Sequence, residues 1–326
     1  MDFTLEEHLE EVVEALGAGA LVPLLGAGVN LSDRADGEAW TRGENLPSAS
    51  ELAKYLAGKL RYPEPQTAGD LQRVSQYVQA RRGDGTLFRY LHEVFSERYV
   101  PTRLHGFLAT LPARLELATG RRRYQLIVTT NYDDALEQAF AAAGERCDVV
   151  WYERPVGPEC SGRARCVHRT HEGATHHIER ANEYAGLSLD DRSVILKVHG
   201  AVDRAAATAL QDSYVISEDH YIEYLSDTRL NDLFPVTLLG TLFTSHFLFL
   251  GYRLVDWNVR VILHQIWHQR GRDLDAWAIQ RQVRAIDRVL WETRGVHLLD
   301  EPLKDYVDAL DRHLPPPDGT RGERAA

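Results

Sequence analysis

Three short apolar runs in this chain stop abruptly at glycine or at hydrogen-bonding residues, and no other feature restricts the possible fold as much. Leu21-Val22-Pro23-Leu24-Leu25 runs into Gly26-Ala27-Gly28. Leu126-Ile127-Val128-Thr129 runs into Thr130-Asn131-Tyr132-Asp133, and Val194-Ile195-Leu196-Lys197-Val198 into His199-Gly200. Near-continuous aliphatic runs of this length fit strands buried on both faces, as in a parallel sheet whose crossovers are helices. A fourth run, Phe247-Leu248-Phe249-Leu250, ends at Gly251 in the same way. Ligands of such sheets sit beyond the carboxyl ends of the strands, at the reversal of strand order. The first three of these strands, delivering Gly, Asn, Asp and His to one edge, imply a nucleotide site with chemistry in it.

Between these runs the spacing predicts helices. Thr4 with Glu7 is a capping-box pair ahead of the apolar stripe Leu5, Leu9, Val12, Val13 and Leu16. Residues 48–111 read as a block of helices without strands, a small helical subdomain inserted after the first strand. Residues 153–192, with Cys160, Cys166, His168, His171, His176 and His177, read as a long irregular loop. Residues 256–269 read as an amphipathic helix, and residues 314–326, rich in proline and charge, as a disordered tail. The fold class expected is α/β: a doubly wound parallel sheet with an inserted helical subdomain, one domain over residues 1–313.

The chain has 326 residues and a formal charge of −11, which argues against a broad polyanion-binding face. Any nucleic-acid contact is expected to be indirect, and Arg121-Arg122-Arg123 reads as a solvated loop or a partner contact. Three cysteines, Cys147, Cys160 and Cys166, fit free thiols in a reducing compartment. The acidic, amphipathic N-terminus does not read as a signal peptide, and no apolar run approaches the roughly 20 residues that span a bilayer. A cytoplasmic protein without membrane contact is expected.

Each strand-end motif has a structural reading beside the functional one. Gly26 and Gly28 permit a tight turn, or let the N–H groups of Gly26, Ala27 and Gly28 approach a pyrophosphate. Leu31 stands where a full dinucleotide fingerprint has its third glycine. Asn30 is placed to cap the next segment or to bond a ribose. Asn131 is placed to orient a ribose hydroxyl or hold a water, and Asp133 to cap the following helix or bind a ligand hydroxyl. His199 suits proton transfer near neutral pH, although a lone histidine there is often structural. Lys197, two residues earlier, is expected on the same face as His199, paired with a buried carboxylate. Gly251 allows close backbone approach, Asp256 is placed as a helix cap or loop anchor, and Asn258 faces ligand or solvent.

Taken in order, GAGVN, TTNYD, KVHG and FLGYRLVDWN resemble the sirtuin-like NAD-consuming family, and more closely its bacterial antiviral-defence branch, over about residues 10–300. The resemblance implies a Rossmann-like sheet domain and an NAD glycohydrolase that depletes NAD when phage is sensed. It implies Asn131 and His199 as catalytic residues. It implies NAD contacts from Gly26, Ala27, Gly28, Asn30, Thr130, Asp133, Gly251, Tyr252, Arg253 and Asn258. An activity of this kind implies control, by a homo-oligomer or by a sensor or ATPase partner acting in trans. Protein-deacylating sirtuins carry two Cys-x-x-Cys zinc pairs, which this sequence lacks. No metal is therefore expected, and a zinc set of Cys160, Cys166, His168 and His171 is the lesser reading. A protein deacylase, or a non-catalytic subunit binding NAD or ADP-ribose, is the alternative to hydrolysis.

Overall fold

The computed structural model describes residues 4–154, 165–204, 212–226, 233–252, 260, 263–264, 266–267, 269–271 and 274–317. Its centre is a nine-stranded sheet in the order β11-β10-β9-β1-β2-β6-β3-β4-β5. The strands are β1 (Leu21–Leu25), β2 (Leu126–Thr129), β3 (Cys147–Glu153), β4 (Arg165–Arg169), β5 (Thr175–Ile178), β6 (Ser193–Lys197), β9 (His246–Leu250), β10 (Ala276–Ile279) and β11 (Val296–Leu299). A separate hairpin pairs β7 (Gly200–Ala201) with β8 (Ser213–Tyr214). From β11 to β3 every pairing is parallel, so these strands present their carboxyl ends at one rim. The chain leaves β1 toward β2 and returns much later to β9 on the other side. The reversal of strand order therefore falls between β1 and β9, beside the GAG turn.

Alternation along the strands sorts the core into two layers. Val22, Leu24, Val128, Val194, Leu196, Phe247 and Phe249 face one way, with α7 (Glu218–Ser226), α8 (Val236–Phe243) and α9 (Ala285–Glu292). Leu21, Leu25, Ile127, Ile195, Leu248 and Leu250 face the other, against α1 (Leu5–Ala18), α5 (Arg103–Thr119), α6 (Ala135–Ala143) and α10 (Leu303–Arg312). Each such side chain stabilises the fold by roughly 1.5–3 kcal/mol, so this two-sided burial dominates the stability. Pro23 has no N–H to give, and the β1–β2 ladder pairs Leu24 and Leu25 only. The capping boxes at Thr4–Glu7 and Ser48–Glu51 are both present.

The helical insertion is smaller than the sequence suggests. The helices α2 (Ala49–Leu60), α3 (Leu71–Arg82) and α4 (Asp84–Phe95) share a core of their own with Tyr132, Val202 and Tyr214. The helix α5, within the expected insertion, instead belongs to the sheet layer, because Leu104, Phe107, Leu108 and Leu111 pack with α1 and α6. The expected irregular loop contains the antiparallel hairpin β4–β5, closed by a Thr170–Ala174 turn with Gly173 at φ 90°. Cys166, Val167 and His168 of β4 are all buried, so the strand is covered on both faces although two of the three are polar. The start of the expected disordered tail is ordered: Leu314 is buried, and the Arg114 guanidinium donates to the Leu314 and Pro315 carbonyls. Residues 318–326, and most of the helix expected over 256–269, lie outside the described residues.

The ends of β1 and β9 touch backbone to backbone. The Gly28 N–H donates to the Gly251 carbonyl at 3.0 Å, and Gly251 has φ 68°. A Cβ on Gly251 would lie 2.4 Å from the Val29 nitrogen, and one on Gly28 2.8 Å from the Gly251 Cα. We expect Gly251→Ala to lower unfolding stability by about 2–4 kcal/mol, from steric overlap and left-handed strain together, measured by urea denaturation. His8 lies in the core, its Nε2 2.9 Å from the Tyr306 hydroxyl and its ring edge-on to Trp277. Burial, reinforced by His297, pushes its imidazole down from 6.5 to about 4. Below 6.5 the unfolded chain takes up a proton that the native chain refuses, so stability falls as pH drops from 6.5 to 4, by up to ~3 kcal/mol. His8→Gln keeps a partner for Tyr306 and should flatten that acid limb, read from urea titrations at stepped pH.

Candidate active site

The parallel pairing of β2 and β6 continues past the strands. The Val198 N–H donates to the Thr129 carbonyl at 3.0 Å and the Val202 N–H to the Tyr132 carbonyl at 2.9 Å. These bonds bracket Asn131 on one segment and His199 on the other, so both stand at the same rim. The Asn131 N–H donates to Thr129 Oγ1 at 3.0 Å, and its side-chain Nδ2 to the Gly26 carbonyl at 3.2 Å. Asn131 thereby joins the end of β2 to the GAG turn. Thr130 is tied to β1 through its N–H on the Leu25 carbonyl, and its hydroxyl accepts from Tyr252 at 3.2 Å.

His199 is buried, its ring edge-on to Tyr221 at 5.3 Å and to Tyr224 at 5.9 Å, both on α7. Among the described residues its Nε2 has no hydrogen-bond partner. Burial pushes its imidazole down to about 3, which leaves the ring neutral at physiological pH. Gly200 must be glycine: φ is 90°, and a Cβ would lie 2.0 Å from the Ser213 carbonyl oxygen. The pairing of β7 with β8 thus sets the turn that presents His199.

Asn30 and Asp133 bond to each other rather than standing apart. Asn30 Nδ2 donates to Asp133 Oδ2 at 2.8 Å, and Asp133 Oδ1 accepts from the Ala135 N–H at 3.1 Å, at the start of α6. A carboxylate only accepts, so the Asn30 amide is fixed with Oδ1 turned away from Asp133, buried and without a donor. Lys197 is buried, donates to the Asp133 carbonyl, and pairs with Glu137 Oε1 at 2.5 Å. A carboxylate partner for Lys197 is therefore present, although Glu137 is half-buried rather than buried. The expected common face with His199 is not: Lys197 turns toward α6, whereas His199 packs on tyrosines of the opposite layer. Strand alternation stops at Lys197, and the turn that follows redirects His199.

The GAG glycines have a packing reason first. The Gly26 and Gly28 N–H groups donate to the Leu250 and Gly251 carbonyls, so in this conformation neither is open to a pyrophosphate. Gly251 and Tyr252 stand at the same rim, while Arg253, Asp256 and Asn258 lie outside the described residues. Leu24, Val128, Thr130, Val198, Phe234 and Tyr252 are among the residues around a cavity of about 20 Å³. That is space for about one water molecule. The side chains missed in the sequence are Glu137, which carries no distinguishing pattern, and Tyr221 and Tyr224. The tyrosines are three apart on α7, a spacing that puts both on one helix face.

The histidine-rich segment is a polar network rather than a cluster of ligands. His168 bonds Asp148 Oδ2 at 2.9 Å and the Tyr184 hydroxyl at 2.7 Å, and the Cys166 thiol donates to the Leu233 carbonyl. Cys160 lies outside the described residues, and among those described no three His, Cys, Asp or Glu side chains converge on a metal position. Burial raises the Cys147 thiol to about 12 and Cys166 further, so both stay protonated. Among the described residues no helix is long and apolar enough to cross a membrane.

The chain is similar to several known proteins. The chain is 27% identical over 217 residues to the NAD(+) hydrolase ThsA of Enterococcus faecium, covering 66% of the chain and 36% of the relative. It is 24% identical over 205 residues to the NAD(+) hydrolase ThsA of Cytobacillus dafuensis, covering 63% and 32%. Its match to defense-associated sirtuin 2 of Bacillus subtilis is 22% identical over 311 residues, covering 92% of the chain and 25% of the relative. The chain thus spans between a quarter and two fifths of the length of these relatives. Among solved structures, a Sir2 mutant with a p53 peptide and NAD aligns over 94% of the chain and 98% of its own, at 13% identity and a TM-score of 0.35. The family model for the SIR2-like domain matches residues 125–299, just over half of the chain, from the strand that delivers Asn131 to the last strand of the sheet; the chain belongs to the SIR2-like family.

Proposed function

We propose that this protein is an NAD glycohydrolase, which cleaves the bond between nicotinamide and ribose to release nicotinamide and ADP-ribose, and that it serves antiviral defence by depleting NAD. The names of its relatives support the reaction class. The observation that carries the reading is His199, a buried imidazole whose Nε2 has no partner among the described residues, at the strand-end rim that also holds Asn131. A buried polar atom without a partner costs about 1–3 kcal/mol, a penalty that a ligand or an ordered water relieves.

The reaction builds positive charge at the anomeric carbon as nicotinamide departs. A water must reach that carbon while bulk solvent stays out. His199, neutral in the free protein, is the base that accepts the proton from the attacking water or from a ribose hydroxyl. The negative phosphates of a bound dinucleotide raise its proton affinity. Asn131 orients the water or the hydroxyl. Thr130, Asn30, Asp133, Gly251, Tyr252 and the Gly26-Ala27-Gly28 turn line the dinucleotide, joined by Arg253 and Asn258.

The small cavity, whose lining includes neither Asn131 nor His199, leaves a dinucleotide no ready-made space beside Thr130 and Tyr252. Small-molecule pockets run to roughly 300–1,000 Å³, far above the space beside Thr130 and Tyr252. Entry of NAD requires Tyr252 or Phe234 to withdraw, and the gap between Gly28 and Gly251 to open if the GAG N–H groups are to meet phosphate. A homo-oligomer or a partner such as a sensor or ATPase supplies that shift in this reading. Incubation with NAD, with nicotinamide release followed by chromatography, tests it. His199→Ala and Asn131→Ala should each lower release by roughly 100-fold or more with an unchanged circular dichroism spectrum. Equal release by wild type and His199→Ala would overturn the assignment.

A further inference from the structure

Lys197 is buried, within a strand whose neighbours Ile195 and Leu196 are aliphatic. Its partner Glu137 is largely withdrawn from water, and burial raises the Glu137 carboxyl above its ordinary range despite the ammonium beside it. The second Glu137 oxygen, Oε2, is buried and has no hydrogen-bond partner among the described residues. Replacing such a pair by apolar side chains of similar size is often neutral or stabilising. Stability alone therefore does not account for a lysine at this position.

What the ammonium holds is the turn after β2. It donates to the Asp133 carbonyl, and the Asp133 carboxylate in turn holds Asn30 on the β1 side and the first N–H of α6. Asn131, two residues earlier in the same turn, reaches the Gly26 carbonyl. The ends of β1, β2 and β6 are thus linked through one ammonium and one aspartate. We infer that Lys197 is a positioning residue of the candidate site, which fixes the Asn131–Asp133 turn against the GAG turn from a place that does not touch substrate. The inference rests on the NAD-hydrolysis reading for its kinetic consequence and on the geometry alone for its structural one.

The test is a double variant, Lys197→Met with Glu137→Leu, which removes both charges and leaves no buried ion unpaired. Its urea midpoint should equal or exceed that of wild type. Its kcat for NAD cleavage should fall about tenfold or more, with KM moved by less than about threefold. Hydrogen exchange over residues 126–136 should be faster than in wild type, and unchanged in β9 and β10. Glu137→Gln leaves the ammonium on the Asp133 carbonyl but without its counter-charge, so its urea midpoint should fall while the folded enzyme keeps kcat within about threefold. A double variant with wild-type kcat, or with unaltered exchange over residues 126–136, overturns the inference. If wild type cleaves no NAD, the functional reading fails separately, and the exchange measurement still decides the role of Lys197.

Discussion

A sheet buried on both faces leaves no room along its strands for polar side chains that lack partners. The central strands of this protein obey that limit almost throughout, with Val, Leu, Ile and Phe filling both layers from β9 across to β6. Polar residues are displaced to the strand ends, and parallel pairing brings those ends to a single rim. The exceptions confirm the rule by having partners: Thr129 Oγ1 donates to the Leu25 carbonyl, and Lys197 finds both a carboxylate and a carbonyl. The site is thus a consequence of burial, since the same constraint that builds the core concentrates Asn30, Asn131, Asp133 and His199 where the core stops.

Much of this was legible in the sequence. The aliphatic runs identify β1, β2, β6 and β9, and the abrupt change to Gly, Asn or His marks their carboxyl ends. What stayed hidden depended on partners distant in the chain. The glycines of the GAG turn read as a phosphate cradle, but their neighbour is Gly251, and nothing local to residues 26–28 reveals it. The hairpin β4–β5 was concealed because two of the three buried residues of β4, Cys166 and His168, are polar and imitate a loop. The helix α5 looked like part of the insertion because sequence adjacency does not say which core a helix joins. His199 and Lys197 seemed to share a face because alternation was extended one step beyond the strand.

Two environments of different character meet at the rim. Toward α6 lies a hydrogen-bonded set of Asn30, Asp133, Lys197 and Glu137, in which each group restrains the next. Toward α7 and α8 lies an aromatic and aliphatic wall of Tyr221, Tyr224, Phe234 and Tyr252, with the His199 ring set in it, its Nε2 without a partner among the described residues. Asn131 sits between them, its backbone on Thr129 and its side chain on Gly26. A rigid polar side suits the holding of a substrate and a compliant apolar side suits its admission, because apolar contacts re-form in shifted positions while directional bonds do not.

The far margin of the sheet has a consequence for assembly. The strand β5 is the last in the order, and Thr175, His176 and His177 on it are all exposed. Hydrophilic residues on an outermost strand discourage another chain from adding a strand of its own. The β5 margin is therefore a poor place for a second chain to lengthen the sheet through its backbone.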